Sequence, residues 1–166
     1  FSLGISADYS VAVARKKGIR LILEVNPHMP YVRGDCLIPL SDVTAIVEHS
    51  AAIPTLPAAP RSAVDDKIGE IIAGLVDDGD CLQMGIGALP DAVCAGLTHH
   101  KNLGIHTEMM TGGLADLMKA GVVDNSRKKI HTGRTIFTFS MGDQALYDFL
   151  NDNPLAEAHP VEYVND

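Results

Sequence analysis

The sequence is poor in aromatic residues and cysteine, and it lacks long apolar runs. It has no tryptophan, its aromatic content is 5%, and it contains three cysteines in 166 residues. Cys36, Cys81 and Cys94 show no paired spacing and no CxxC motif, which favours reduced, buried thiols in a cytoplasmic or organellar-matrix setting. No apolar stretch is long enough to span a bilayer, and no charged segment followed by an apolar one opens the chain. We therefore predict a cytoplasmic protein with neither a signal peptide nor a membrane helix.

Positive charge is also scarce. The chain has 13 Lys and Arg against 21 Asp and Glu, for a net charge of -8. Such a balance opposes binding to nucleic acid or to an anionic membrane, so we predict neither partner. The one basic cluster comprises Arg127, Lys128, Lys129 and Arg134. It could meet an anionic ligand such as a nucleotide phosphate, although a solvated loop is the more common explanation.

The pattern that is present alternates short apolar runs with amphipathic stripes. Ile68, Ile71, Ile72 and Leu75, for example, mark one face of a helix. The alternation predicts an α/β fold with open, mainly parallel sheets, and the run at 19–26 is typical of a strand buried on both faces. Predicted strands span 1–6, 19–26, 45–49, 81–87, 103–109, 134–141 and 161–165, and predicted helices span 11–17 (capped by Asp8), 64–76, 91–97, 114–120 and 144–150.

Prolines suggest a domain boundary. Pro54, Pro57 and Pro60 lie close together, and none of them can lie inside a central strand. We predict that 53–62 is a Pro-rich linker between the C-terminal part of a first α/β domain (1–52) and the N-terminal part of a second (63–166). Since the sequence opens in one predicted strand and closes in another, we expect a fragment of a longer protein.

The stretch "LQMGIGALPDAV" carries a two-glycine turn between a strand and a helix. Gly85 and Gly87 let the backbone turn sharply and leave its amides unshielded, and Pro90 suits the first helical turn. Such a turn can present N–H groups to a phosphate, a carboxylate or an oxyanion. It is not the dinucleotide fingerprint, because proline occupies the place of the third glycine, and Asp91 disfavours a phosphate there. Taken alone, a turn of this kind is more often a tight connection.

A carboxylate and an imidazole share one face of a predicted strand in "GIHTEM". Glu108 lies near the strand's carboxyl end and His106 two residues before it. Glu108 could serve as a base or a nucleophile, but the favoured interpretation is a carboxylate that bonds to the turn at Gly112 and Gly113. The seven histidines include no HxxxH or HxH pattern, so we predict no metal site. His159 precedes the last predicted strand.

Three segments, read together, resemble a known family. They are "EVNPHMP" (24–30), "GIGALPDAV" (85–93) and the long run from "LGIHTEM" at 103 to "PVEYVND" at 166. They closely resemble the acetyl-CoA hydrolase/transferase family, in particular 4-hydroxybutyrate and acetate CoA-transferases. The resemblance covers nearly the whole chain. It implies a two-domain α/β enzyme, an oligomer when complete, that moves CoA from an acyl-CoA to a free carboxylate and has CoA thioesters as its substrates rather than a metal cofactor.

The resemblance also implies a mechanism and a set of site residues. In the family a glutamate attacks the thioester, and this glutamate lies in a segment that follows the Asn-Asp-Pro turn, beyond Asp166. Glu108 matches a family position that is not the nucleophile. We expect catalytic contacts from Gly85, Gly87 and His159, and substrate-binding contacts from Asn26, Met29, Ile86 and Glu108.

Other functions stay open at this point. An acyl-CoA hydrolase of the same family differs only in letting water resolve the intermediate. A ligand-binding or assembly module without chemistry is a hypothesis from another class. A nicotinamide-dependent dehydrogenase is a distant third, because the third glycine and the ribose-binding acid are not where the fingerprint requires them.

Overall fold

The computed structural model describes residues 1–6 and 9–165. The predicted helix cap at Asp8 lies outside these residues. The helices are α1 (Tyr9–Lys17), α2 (Ala63–Ala73), α3 (Ala88–Gly96), α4 (Gly112–Lys119), α5 (Gln144–Leu150) and α6 (Val161–Val164), with one 3₁₀ turn at Leu40–Asp42. The strands are β1 (Ile22–Val25), β2 (Arg33–Gly34), β3 (Ala45–Glu48), β4 (Cys81–Leu82), β5 (Gly104–Met110), β6 (Thr135–Ser140) and β7 (Ala156–Ala158).

The strands form two parallel sheets. The larger has five strands in the order β2-β7-β6-β5-β4, and the smaller pairs β1 with β3. All of these strand pairs are parallel. The predicted α/β fold with mainly parallel sheets is confirmed. Among the described residues, no helix combines the length and the apolar character that a bilayer crossing requires.

The core lies around β5 and β6, in the middle of the larger sheet. Ile105 on β5 and Phe137 on β6 are 0% exposed, as are Leu97, Leu114 and Leu150 on the helical side. Runs of apolar residues on both central strands allow burial on both faces, which a parallel sheet requires. This arrangement fixes the carboxyl ends of β4, β5 and β6 along one edge of the sheet.

The last predicted strand, at 161–165, is wrong, because Val161–Val164 form helix α6. The carbonyl of Pro160 accepts hydrogen bonds from the N–H groups of Tyr163 (3.0 Å) and Val164 (3.2 Å), which starts a helical turn. The strand lies earlier, at β7, in residues with low strand propensity that pair with β6 on one side and β2 on the other. Strand pairing therefore outweighs local propensity, and His159 follows the last strand instead of preceding it.

The predicted strand at 81–87 ends early, at Leu82. The Thr107 hydroxyl takes the place of the next ladder partner: the Met84 N–H donates to Thr107 Oγ1 (3.1 Å), and that hydroxyl donates to the Met84 carbonyl (3.1 Å). The chain leaves the sheet here and continues into the two-glycine turn.

The opening segment, 1–6, is not a full strand. It makes single antiparallel bridges, Ser2 with Leu37 and Ser6 with Phe139. The run at 19–26 contributes only β1, and the predicted burial on both faces is wrong, since Ile22 is 63% exposed. The reason is that β1 belongs to a two-stranded sheet instead of the centre of a large one.

Residues 53–62 contain neither helix nor strand. They are held to the larger sheet's helices and loops, because the Tyr147 hydroxyl donates to the Pro54 carbonyl (2.8 Å) and the Leu56 N–H donates to the Gly142 carbonyl (2.8 Å). β2, from the first third of the chain, pairs with β7 near its end. The division into domains at 1–52, 53–62 and 63–166 stays a prediction.

Candidate active-site cleft

Three helix starts meet at the carboxyl ends of β4, β5 and β6. The N-cap residues are Gly87 for α3, Thr111 for α4 and Asp143 for α5. Together with Leu56 to Ala59 and Arg61 of the proline-rich segment, they line a cavity of about 850 Å³, here called the cleft. Ligands of open parallel sheets bind at this edge.

Two of these helix starts leave their first amides without a side-chain cap. Asp143 accepts a hydrogen bond from the Leu146 N–H (2.9 Å), but Gly87 and Thr111 make no such bond. The first N–H groups of a helix have no partner inside the helix, and they carry partial positive charge. The starts of α3 and α4 can therefore hold a carboxylate or the oxyanion of an addition step.

Gly87 is required by its backbone conformation. Its φ is +112°, which side-chain-bearing residues rarely adopt, and no heavy atom of the described residues lies within 4 Å of where a Cβ would be. Gly85 differs, because only Pro90 Cγ lies within 4 Å of its notional Cβ, at 3.9 Å, and its φ is not positive. The turn thus leaves open space along the backbone on the cleft side of Gly87.

Burial raises the pKa of two ionisable groups that line the cleft, Cys94 and Asp91. Burial, with Asp91 and Asp116 nearby, raises the pKa of the Cys94 thiol to about 12, so this cysteine stays protonated and is a poor nucleophile. Burial also raises the pKa of Asp91, against the opposing effect of Arg61. Arg61 donates from Nη1 to the Asp91 main-chain carbonyl (3.1 Å) and brings a cation to the cleft lining.

A smaller cavity of about 500 Å³ adjoins the turn on its other side. Gly85, Ile86 and Glu108 line it together, and Ile86 also lines the cleft. The predicted shared face of His106 and Glu108 is confirmed, since both are half-buried on β5 while the residue between them is buried. Glu108 Oε2 accepts from Asn165 Nδ2 (2.9 Å), so its hydrogen bond goes to Asn165 and not to the turn at 112–113.

Asn26 and Met29 line neither cavity. Asn26 Nδ2 donates to the Ala51 carbonyl (2.7 Å), and its Oδ1 accepts from the His28 N–H (3.1 Å), which holds the loop after β1. Met29 packs against Gly4. Their part in substrate binding, like the predicted roles of Gly85, Ile86, Gly87, His159 and Glu108, stays a prediction.

His159 also lies outside both cavities, in a cluster that the sequence interpretation missed. Its Nε2 is 3.3 Å from Glu157 Oε2, and its ring centroid lies 5.0 Å from that of His131 and 5.2 Å from that of Tyr163. Glu157 lies on β7 and His159 follows directly after that strand, so their spacing of two residues could have signalled a shared face. His131 lies in a loop far away in sequence, so no local pattern could have found it.

The basic cluster lies in a loop where Arg127 and Lys129 are exposed, as the solvated-loop interpretation predicts, but Lys128 is not. Lys128 is buried, and its Nζ donates to the carbonyls of Ile105 and Arg134, both at 2.7 Å. Arg127 Nη1 donates to the Asp78 carbonyl (3.3 Å). These bonds fix the loop that carries His131 against β5. The predicted buried thiols are confirmed for Cys36 and Cys94 but not for Cys81, which is exposed.

Curated relatives match nearly the whole length of this chain. No family model matches the chain. Among curated proteins, it is 45% identical over 165 residues to a succinyl-CoA:cyclohexane-1-carboxylate CoA transferase from Geobacter metallireducens. It is 46% identical over 164 residues to a 4-hydroxybutyrate coenzyme A transferase from Clostridium kluyveri. Each match covers 99% of this chain and 38% of the relative.

Solved structures match the fold of this chain over nearly all of its length. RipA from Yersinia pestis matches with a TM-score of 0.95 and 48% identity, covering 100% of this chain and 39% of that one. A 4-hydroxybutyrate CoA-transferase from Porphyromonas gingivalis matches with a TM-score of 0.92 and 40% identity, covering 99% of this chain and 42% of that one. The chain spans about two fifths of the length of the relatives it matches, and over that span it is homologous to the CoA transferases.

Proposed function

We propose that the protein carrying this chain is a CoA transferase that moves CoA between an acyl-CoA and a short-chain carboxylate. The observation that supports this most strongly is the match of 99% of the chain to curated proteins named as CoA transferases. The acids named for these relatives include 4-hydroxybutyrate and acetate. We propose substrates of this size, with an assembled homo-oligomer as the active form. Three free cysteines favour a reducing compartment such as the cytoplasm.

The proposed route is a double displacement. A glutamate carboxylate beyond Asp166 attacks the acyl-CoA carbonyl, giving a mixed anhydride and CoA thiolate. The thiolate attacks the glutamyl carbonyl of the anhydride, which forms the glutamyl-CoA thioester and releases the first acid as its carboxylate. A second carboxylate then reverses these steps and leaves with CoA. Each addition creates an oxyanion that needs positioned donors.

The cleft suits such a reaction. The amides at the starts of α3 and α4, behind Gly87 and Thr111, supply donors for an oxyanion or a carboxylate. Leu56, Met109 and Leu117 supply apolar lining for the acyl chain or for the arm of CoA. We propose that the acyl carbonyl is held beside Gly87, with Ile86 and Glu108 shaping the neighbouring cavity.

The experiment that tests this is CoA exchange by the protein carrying this chain. Acetyl-CoA is mixed with separate short carboxylates, including 4-hydroxybutyrate, succinate and butyrate, and the new acyl-CoA is measured by chromatography. We expect transfer to at least one acid. Release of free CoA and acetate at the same rate with and without an acceptor would instead indicate a hydrolase, and no reaction with any acid would contradict the proposal.

A second measurement locates the nucleophile. The protein is incubated with acyl-CoA and no acceptor, digested, and searched by mass spectrometry for a peptide carrying CoA. We expect the adduct on a glutamate after residue 166. An adduct on Glu108 would contradict the proposed route while leaving the transferase activity in place.

Replacement of Gly87 tests the role of the turn. Gly87→Val forces a β-branched residue into a φ of +112° and crowds the cleft, so we expect kcat/KM to fall at least about 100-fold. Gly121→Val is the matched control, because Gly121 also has a positive φ (+73°) with open space around it and lies at the far end of α4, outside the cleft. Equal loss in both variants would attribute the effect to backbone strain alone.

A further inference from the structure

Three donor atoms converge beside β7, away from the cleft. His131, Glu157 and His159 each offer one, and these three atoms lie within 4.8 Å of one another. Glu157 Oε2 is 3.3 Å from His159 Nε2 and 3.8 Å from His131 Nδ1. All three side chains are half-buried, so they are reachable by an ion and shielded from most of the bulk solvent.

The spacing suits a tetrahedral ion. With metal–ligand bonds of about 2.0–2.1 Å, ligands of tetrahedral zinc lie about 3.3–3.4 Å apart. The two measured separations from Glu157 Oε2, 3.3 and 3.8 Å, need to change by less than about half an ångström to match that geometry. Two imidazoles and one carboxylate are a donor set that zinc accepts, with a fourth position left for water.

The surroundings orient two of the three ligands. His131 directs Nδ1 at Glu157 while its Nε2 lies 2.6 Å from the Tyr163 hydroxyl. Arg134 Nε lies 3.4 Å from Glu157 Oε1, which occupies that oxygen and leaves Oε2 facing both imidazoles. Metal-binding histidines and carboxylates are held in this way by partners on their other polar atom.

The backbone fixes His131 before any ion binds. Its φ is +50°, an uncommon conformation for a residue other than glycine, and buried Lys128 anchors its loop to β5.

We propose that His131, Glu157 and His159 form a binding site for a divalent transition-metal ion of the zinc type, joining the loop that carries His131 to strand β7. The site uses none of the residues that line the cleft, but it includes His159, whose predicted catalytic contact stays a prediction.

The test measures zinc binding rather than activity. The protein carrying this chain is stripped with a chelator and titrated with Zn²⁺ against a chromophoric competitor. We expect a zinc equivalent that His159→Ala and Glu157→Gln weaken at least about 100-fold, and that Tyr163→Phe weakens about 10-fold by removing the partner of His131. Glu157→Gln keeps the shape of the side chain, so its effect does not depend on a change in folding.

His49→Ala is the matched control. His49 Nδ1 lies 3.3 Å from Glu24 Oε1, the same separation as the pair in the site, but among the described residues no third donor joins them. We expect this variant to bind zinc as the wild type does. Equal zinc binding by the wild type, His159→Ala and Glu157→Gln, or equal loss in His49→Ala, would overturn the proposal.

Discussion

The two sheets of this chain contain similar apolar sequences with opposite exposure. On the five-stranded sheet, Ile105 and Phe137 are 0% exposed, whereas Ile22 on β1 is 63% exposed and Val47 on β3 is 53% exposed. An apolar run therefore predicts a strand in both places but does not predict burial. Burial depends on how many strands and helices surround the run, and the described residues supply that surrounding only to the larger sheet.

The largest expected effect is at the centre of the five-stranded sheet. Phe137→Ala removes a fully buried ring from β6, and we expect the free energy of unfolding to fall by about 3–5 kcal/mol. Urea denaturation followed by circular dichroism measures it. A loss below about 1 kcal/mol would mean that the core collapses around the missing ring.

Removing a buried hydrogen-bonded side chain next to the same sheet should lower the free energy of unfolding by a smaller amount. Asn125 Oδ1 accepts from the Ile105 N–H (2.9 Å), and its Nδ2 donates to Thr135 Oγ1 (3.0 Å). Asn125→Ala leaves the strand amide unpaired, so we expect a further loss of about 1–3 kcal/mol relative to Asn102→Ala. Asn102 is the control because its φ of 58° matches the 57° of Asn125 while its side chain bonds to Asp124 near the surface.

Lowering the pH should reduce the free energy of unfolding by a still smaller amount. Burial, with neighbouring cationic groups, lowers the pKa of His106 and of His131. Because the folded state binds these protons less readily than the unfolded state, stability is expected to fall as pH drops through about 6.5, the ordinary histidine value. Urea midpoints between pH 7.5 and 5 measure this. The His106→Gln/His131→Gln double variant should show a flatter pH profile, and an unchanged profile would contradict the explanation.

The smallest expected effect is on β1. Ile22→Thr replaces a side chain that is already exposed, so the free energy of unfolding of this chain should change by no more than about 0.5 kcal/mol. The same substitution in the protein carrying the chain sharpens the comparison. A loss above about 1 kcal/mol there would mean that further residues cover β1.

Local signals predicted the two central strands of the larger sheet and helix α5 well. The helix at 144–150 has the predicted bounds, and the strands near 103–109 and 134–141 shift by a residue or so. The failures have physical causes outside local sequence. The Thr107 hydroxyl ends β4 from another strand, and β7 forms from poor strand formers because two neighbours pair with it.

Of the candidate site, the sequence predicted only the position of the turn that follows strand β4. Gly85 and Gly87 stand between an apolar strand and a helix, so their turn could be placed at the carboxyl edge of the sheet. The contribution of Thr111 and Asp143 to the same cleft depends on strand order, which no local pattern contains. The contact of His131 with Glu157 joins a loop to a strand across 26 positions. No HxH or HxxxH pattern in the sequence indicates this contact.

The pairing of β2 with β7 cannot form until nearly the whole chain has been synthesised. Gly34 pairs with Ala158, which leaves the ribosome 124 residues later. At about 5–20 residues per second, the β2 edge waits roughly 6–25 s for its partner. During that interval the nascent chain exposes the unpaired edge of β2, whose partner in the sheet is β7. The period of greatest risk for aggregation therefore falls before β7 has been made, and slower translation of this region would lengthen it.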